Sequence, residues 1–190
     1  MLKNSKSPLA LILLPLFAFV ASGCLTAERK ELIFTVKPDG SGSGRITFYN
    51  IMSVEEEGKD ASLGDYTELI NRYLKGTKFE DFYPLYMNLK KRLYEENGRL
   101  NGELTFDFGH YEDVGLYRYQ DKGPWMYFIG VKSDFGVERY DTSTGTVPSE
   151  QMPLVFWPEG TTEFRISSRY DNTDAARHTL FPLYRRIGID

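Results

Sequence analysis

The stretch Glu31–Met52 reads ELIFTVKPDGSGSGRITFYNIM, two apolar runs on either side of a proline–aspartate–glycine turn. Leu32–Val36 is short, apolar and rich in β-branched and aromatic side chains, the composition of a strand. In Pro38–Gly44 the proline fixes φ and the glycines are free to take positive φ, as a tight turn requires. Arg45–Met52 then resumes with Ile46 and Phe48 alternating against Thr47 and Tyr49, so one face is apolar and the other polar. The whole predicts a β-hairpin. A phosphate-cradling loop is excluded, because it needs a lysine after its last glycine and a helix behind it; here no lysine occurs and a second strand follows.

Downstream, Glu55–Asp60 is an acidic loop, read as solvated surface rather than a cation site. Ser62 opens the main helix, Ser62–Lys75, with Ser62 and Asp65 as a capping box. Leu63, Tyr66, Leu69–Ile70 and Tyr73–Leu74 recur at helical spacing, and Gly76 stops the run. The segment Phe79–Tyr86 is aromatic-rich and irregular. Leu85, Leu89 and Leu93 fit a helix face or a strand face equally well. Asn97-Gly98 decides between them, because Leu100, Gly102, Leu104, Phe106 and Phe108 alternate strictly behind it. Two long strands are expected, Tyr86–Glu96 and Arg99–Phe108.

The second half is less regular. Glu112–Tyr119 predicts one helical turn, and Trp125–Val131 a strand with its partner near Gly136–Asp141. Thr142–Pro153 reads as loop. Leu154–Trp157 and Thr162–Ser168 predict a hairpin across Pro158-Glu159-Gly160. The C-terminal helix has Thr179 as its cap and Pro182 in its first turn, with Leu183–Tyr184 and Ile187 facing inward. Arg185 and Arg186 suit its C-terminal dipole, and Gly188 ends it. Residues 31–190 thus predict one α+β domain: an antiparallel sheet built from hairpins, with one main helix and a short C-terminal helix packed on one face.

The first 24 residues carry a different message. Lys3 and Lys6 precede the apolar run Leu9–Ala21, which is too short for a membrane span of ~20 apolar residues and suits a signal peptide. A secretory leader with a generic small-residue cleavage site is the plain reading. The sharper one is that Ala21-Ser22-Gly23-Cys24 resembles the lipobox of bacterial lipoproteins, with Ala21 where an aliphatic residue is usual. That resemblance implies a signal peptide over residues 1–23, diacylation of Cys24 through a thioether, and Cys24 as the mature N-terminus. Cys24 is the only cysteine in the chain, so lipidation also accounts for an otherwise odd thiol. With Leu25 rather than Asp next, the resemblance implies the outer membrane in a two-membrane cell. Residues 24–30 then read as a short membrane tether, whose stretch Leu25–Lys30 reaches about 20–25 Å at ~3.4 Å per residue. A modified cysteine followed by strand, PDGSG turn and strand is similar to a group of bacterial envelope lipoproteins. More distantly it resembles the LppM-type lipoproteins, whose α/β domain is compared with lipid-binding proteins. The likeness covers Cys24–Met52 and the element order behind it, and it implies a lipid-like ligand without naming any binding residue.

Charge and side-chain inventory narrow the function further. The chain has 23 basic and 27 acidic residues, and the leader removes two of the basic ones. An acidic mature chain whose largest basic cluster is Lys90-Lys91-Arg92 argues against a nucleic-acid partner. His110 and His178 are the only histidines, and zinc would require both with a carboxylate such as Glu112 or Asp174. No GxSxG or SxxK motif is present. Glu103 and Asp107 share a strand face about 13 Å apart, beyond glycosidase separations of about 5–9.5 Å. Asp171-Asn172-Thr173-Asp174 lacks the glycine and distal glutamate of a calcium loop. No catalytic residue, metal site or cofactor is therefore expected. The aromatics Tyr117, Tyr119, Trp125, Tyr127, Phe128, Phe156 and Trp157 fill a core or line a cavity. The candidate ligand groove, between main helix and sheet, takes Leu69, Tyr73, Trp125 and Trp157. The expected role is a non-catalytic envelope lipoprotein, held on the membrane through Cys24 and binding a lipid-like ligand. The alternative is an assembly accessory that binds an envelope protein; a hydrolase ranks behind both. An open helix–sheet cavity favours the ligand, and a solid core with an exposed aromatic patch favours the partner.

Overall fold

In the computed structural model, which describes residues 25–130, 135–149, 152–171 and 175–189, the opening hairpin extends well beyond its apolar core. β1 is Leu25–Val36 and β2 is Gly42–Val54, antiparallel from Leu25 opposite Ser53 to Val36 opposite Gly42. Residues 25–30 are therefore paired strand rather than a tether, and Leu25, Thr26 and Ala27 are buried. Asn50 takes φ +52° and its backbone N–H donates to the buried Asn101 Oδ1 at 2.9 Å. That kink shifts the inward face from Phe48 to Ile51, which keeps the far half of the hairpin apolar on the core side.

Only Gly40 of the glycine-rich stretch has positive φ, +85°. Gly42 and Gly44, expected in the turn, lie in β2 beneath phenylalanine rings. A Cβ on Gly42 would stand 2.2 Å from the Thr35 carbonyl oxygen and 2.3 Å from the Phe108 ring, and one on Gly44 would stand 2.3 Å from the Phe106 ring. These two glycines serve close approach, not turning.

β3 (Met87–Glu96) and β4 (Arg99–Phe108) form the expected hairpin, with Asn97 and Gly98 at φ +53° and +72°. Two short 3₁₀ segments, Tyr111–Val114 and Tyr119–Asp121, flank β5 (Leu116–Arg118), and β6 is Trp125–Phe128. β7 (Val137–Ser143), β8 (Leu154–Trp157), β9 (Glu163–Asp171) and β10 (Arg177–Thr179) complete the strands. The main sheet has the order β3-β4-β2-β1-β9-β7, with β10 pairing the far end of β2; β5-β6-β8 form a second, smaller sheet. Two expected pairings are thereby corrected. β6 pairs β5 and β8 rather than residues 136–141, and β8 and β9 belong to different sheets instead of one hairpin. The cause is aromatic: Trp125 lies opposite Trp157, and both indoles meet the fully buried Phe164 of β9 edge-on, at 5.1 and 5.3 Å. Burying two indoles on one sheet face needs a second layer above it.

Helix α1 (Ser62–Glu68) runs on as a wider π turn over Leu69–Leu74, where the Lys75 N–H reaches the Ile70 carbonyl. The expected capping box does not form. Asp60 Oδ1 takes the Ser62 N–H at 2.8 Å, and Asp65 turns inward to accept the Ser53 hydroxyl at 2.6 Å. Tyr66, Leu69, Ile70 and Tyr73 are buried, whereas Leu63, expected inward, is 61% exposed. The segment expected to be irregular contains helix α2 (Lys78–Phe82). Helix α3 (Phe181–Ile187) starts after Thr179, whose hydroxyl accepts the Phe181 N–H at 3.3 Å, and stops at Gly188; Ile187 is exposed, not inward.

The result is an α+β fold. One face of the main sheet carries Leu32, Phe34, Ile46, Leu104, Phe106, Phe164 and Ile166, all buried. The α1 helix with its π turn covers the end near Leu25, where Tyr73, Phe79 and Phe135 pack on each other and on Phe48. The small sheet covers the end near the 37–41 turn.

Candidate functional site

The helix–sheet interface is solid. Leu69 and Tyr73 are buried there, and a void that they border is about 20 Å³, room for roughly one water. Trp125 and Trp157 are buried at the other end, under the small sheet, with indole N–H groups donating to the Glu159 carbonyl and to Thr144 Oγ1, each at 3.0 Å. The four residues expected to line one groove therefore lie in two separate parts of the core.

A larger cavity opens elsewhere, at the seam between the two covers. It measures about 550 Å³, within the usual range for small-molecule sites. Its floor is the sheet face around Leu32 and Ile166. Tyr83 behind α2 and Tyr127–Gly130 at the end of β6 form its walls, and Phe82 and Phe128 stand at its rim, 38% and 57% exposed. Together they extend the apolar part of the cavity lining to the surface.

One corner of the cavity is polar. Lys30, on the same face of β1 as Leu32 and Phe34, forms an ion pair with Glu138 of β7, and both are buried. The Glu138 carboxylate also accepts the Ser168 hydroxyl at 2.9 Å and the Tyr170 hydroxyl at 3.4 Å. Charges taken out of water persist only with such partners. Burial, with the nearby Glu138 charge, pushes the Tyr127 phenol well above its ordinary pKa, so it stays a neutral hydrogen-bonding group. The cavity thus offers an apolar slot and a single zwitterionic corner.

Searches of family models, of curated proteins and of solved structures find no match to this chain.

The remaining residues singled out above are dispersed. His110 lies beside Gly40 at the turn end of β2, and His178 pairs Ser53 at its opposite end, bonded through Nε2 to Glu55 Oε1 at 2.9 Å. The length of β2 separates the two histidines, so they cannot share a metal. Among the described residues no group of three His, Cys, Asp or Glu side chains could hold one. Glu103 pairs Arg92 at 2.8 Å and Asp107 accepts from Asn88 at 2.8 Å, both on the outer sheet face. Cys24, the leader and residues 172–174 of the acidic run lie outside the described residues. No helix among the described residues is long and apolar enough to cross a membrane. The sequence reading missed Lys30, Phe82, Glu138 and Ser168. A signal for two of them existed: Lys30 keeps the parity of Leu32, Phe34 and Val36, and Ser168 keeps that of Phe164 and Ile166.

Proposed function

We propose that this chain is a membrane-anchored envelope lipoprotein whose domain binds a lipid-like ligand in the seam cavity, without chemical turnover. The observation that carries the ligand is a 550 Å³ cavity of mixed lining, with apolar side chains on its floor, one charged corner, Lys30 and Glu138, and an exposed aromatic rim. An amphiphile matches that division: its chain covers Leu32, Ile129 and Ile166, and its polar end meets the ion pair. The anchor rests on the leader and on the small residues before Cys24. Because β1 is paired from Leu25, an acylated Cys24 leaves almost no slack between bilayer and sheet.

Two measurements test the two halves separately. When the full chain is expressed in a bacterium, detergent-phase partitioning should recover it in the detergent phase and recover Cys24→Ser in the aqueous phase; equal partitioning removes the anchor. For the ligand, the mature chain carrying Cys24→Ser is purified without detergent, incubated with phosphatidylethanolamine–phosphatidylglycerol vesicles, and weighed by native mass spectrometry. An adduct of lipid mass is expected, reduced on the order of tenfold in Phe82→Ser/Phe128→Ser. Both rim residues are exposed, so that variant should keep the wild-type unfolding midpoint. A clean apo mass favours instead a protein partner seated on Phe82 and Phe128, the reading that the solid helix–sheet interface supports.

A further inference from the structure

A second cavity, of about 410 Å³, opens at the turn end of the sheet and shares no lining residue with the seam cavity. It is bounded by the Lys37–Gly40 turn, by His110 and Tyr111, by Arg118 and Trp125, and by residues 159–162. The eleven steps of β1 place it about 36 Å from Leu25 at 3.3 Å per residue. Its chemistry is unlike that of the seam.

Arg118 is the central group. Its guanidinium lies over the Trp125 ring, 4.5 Å from the centroid, and the side chain is only 16% exposed. Among the described residues its hydrogen bonds are two, both long: Nε to the Gly123 carbonyl at 3.4 Å and Nη2 to Glu159 Oε1 at 3.3 Å. Charge-assisted bonds of this kind close to about 2.7–2.9 Å when they are strong. Glu159 is itself 69% exposed on that side chain, so the pair is screened and easily exchanged for another carboxylate. The aromatic face holds the fork rigid while its best partner remains weak.

Around that fork stand groups of both hydrogen-bonding senses. Asp39 is held ionised, its carboxyl below the usual range, by the Ser41 hydroxyl and N–H. Asp121 accepts the Tyr111 hydroxyl at 2.7 Å, and that bond, with burial, pushes the phenol up to about 12. Lys37 and Arg118 face Asp39, Asp121 and Glu159, two cations against three carboxylates. A dianionic phosphate is strongly disfavoured by that balance, whereas Glu159, 69% exposed, can turn into solvent and leave the Arg118 fork to a single ligand carboxylate. The acceptors and the Thr161 and Thr162 hydroxyls that remain suit a ligand rich in hydroxyl groups.

We infer that this cavity binds a carboxylate-bearing saccharide, with the carboxylate on the Arg118 fork and the sugar hydroxyls on Asp39 and the turn. If the anchoring proposed above holds, the site points away from the bilayer. The saccharide test does not depend on that anchor. The full chain in detergent micelles is titrated with D-glucuronate, D-glucose and inorganic phosphate, followed by amide, Arg Nε–H and indole shifts. Glucuronate should shift Gly40, the Arg118 Nε–H and the Trp125 indole, with glucose and phosphate weaker. Arg118→Gln should weaken glucuronate by at least about tenfold. Glu159→Gln, an exposed change with little structural cost, should tighten it up to about fivefold by removing the competitor. That gain has a sign that a merely structural Arg118 could not produce. Shifts absent with all three probes, phosphate or glucose binding as well as glucuronate, or Glu159→Gln leaving affinity unchanged would each overturn the inference.

Discussion

Replacing Lys30 with methionine destabilises the domain by about 3–5 kcal/mol, because it leaves the Glu138 carboxylate buried opposite an apolar side chain. The methionine stem occupies much of the same volume, so the loss is electrostatic rather than a packing void. Glu138→Leu should cost a similar amount, leaving the ammonium unpaired and removing the acceptor of the Ser168 hydroxyl. The two costs are not additive. Lys30→Met with Glu138→Leu removes both charges, and the double variant should recover at least about 2 kcal/mol of the summed loss. Urea unfolding of the four proteins, read at constant slope, gives this cycle directly. Single losses below about 1 kcal/mol that simply add would show that water reaches the pair and screens it.

Gly42→Ala is the second large effect, and its mechanism is steric. The new methyl has two obstacles at once, the Thr35 carbonyl oxygen at 2.2 Å and the Phe108 ring at 2.3 Å. Phe108 is fully buried and cannot swing aside, and the carbonyl belongs to the paired strand. Overpacking costs typically about 1–3 kcal/mol, and a backbone obstacle places this substitution at or above the upper end. Gly64→Ala supplies the opposite control. Gly64 is exposed in α1 with nothing within 4 Å of an added Cβ, so alanine should stabilise by about 1 kcal/mol through helix propensity. Thermal and urea midpoints for the two variants should move in opposite directions. A Gly42→Ala midpoint that does not fall would mean that the Phe108 ring does not lie over the strand glycine.

How the sequence encodes this fold differs between its halves. The two long hairpins were legible because each has its own local turn chemistry, Pro38-Asp39-Gly40 and Asn97-Gly98, flanked by alternating residues. The partners of Trp125–Phe128 and Leu154–Trp157 were not, since short apolar runs carry no mark of which layer they join. Their pairing is decided by indoles meeting Phe164 across layers, a non-local contact. The site followed the same rule. Leu69, Tyr73, Trp125 and Trp157 look like ligand residues by composition, yet large apolar side chains on covering elements mostly fill the core. The seam cavity depends on where a helical cover stops and a β cover starts, and no local pattern specifies that boundary. Lys30 and Ser168 carried a readable signal that went unused, polar side chains at inward-facing positions of their strands.

The early start of β1 has a mechanical meaning. This strand lies inside the sheet, bonded to β2 along its whole length and to β9 from Arg29 to Thr35. Its ladder bonds run perpendicular to the strand axis. A pull on Leu25 along that axis therefore loads two ladders in shear, many bonds at once, instead of unzipping one bond after another. Forced unfolding is governed by the height of that barrier rather than by equilibrium stability. A chain held at residue 24 has its point of attachment at one of the mechanically strongest positions of the domain.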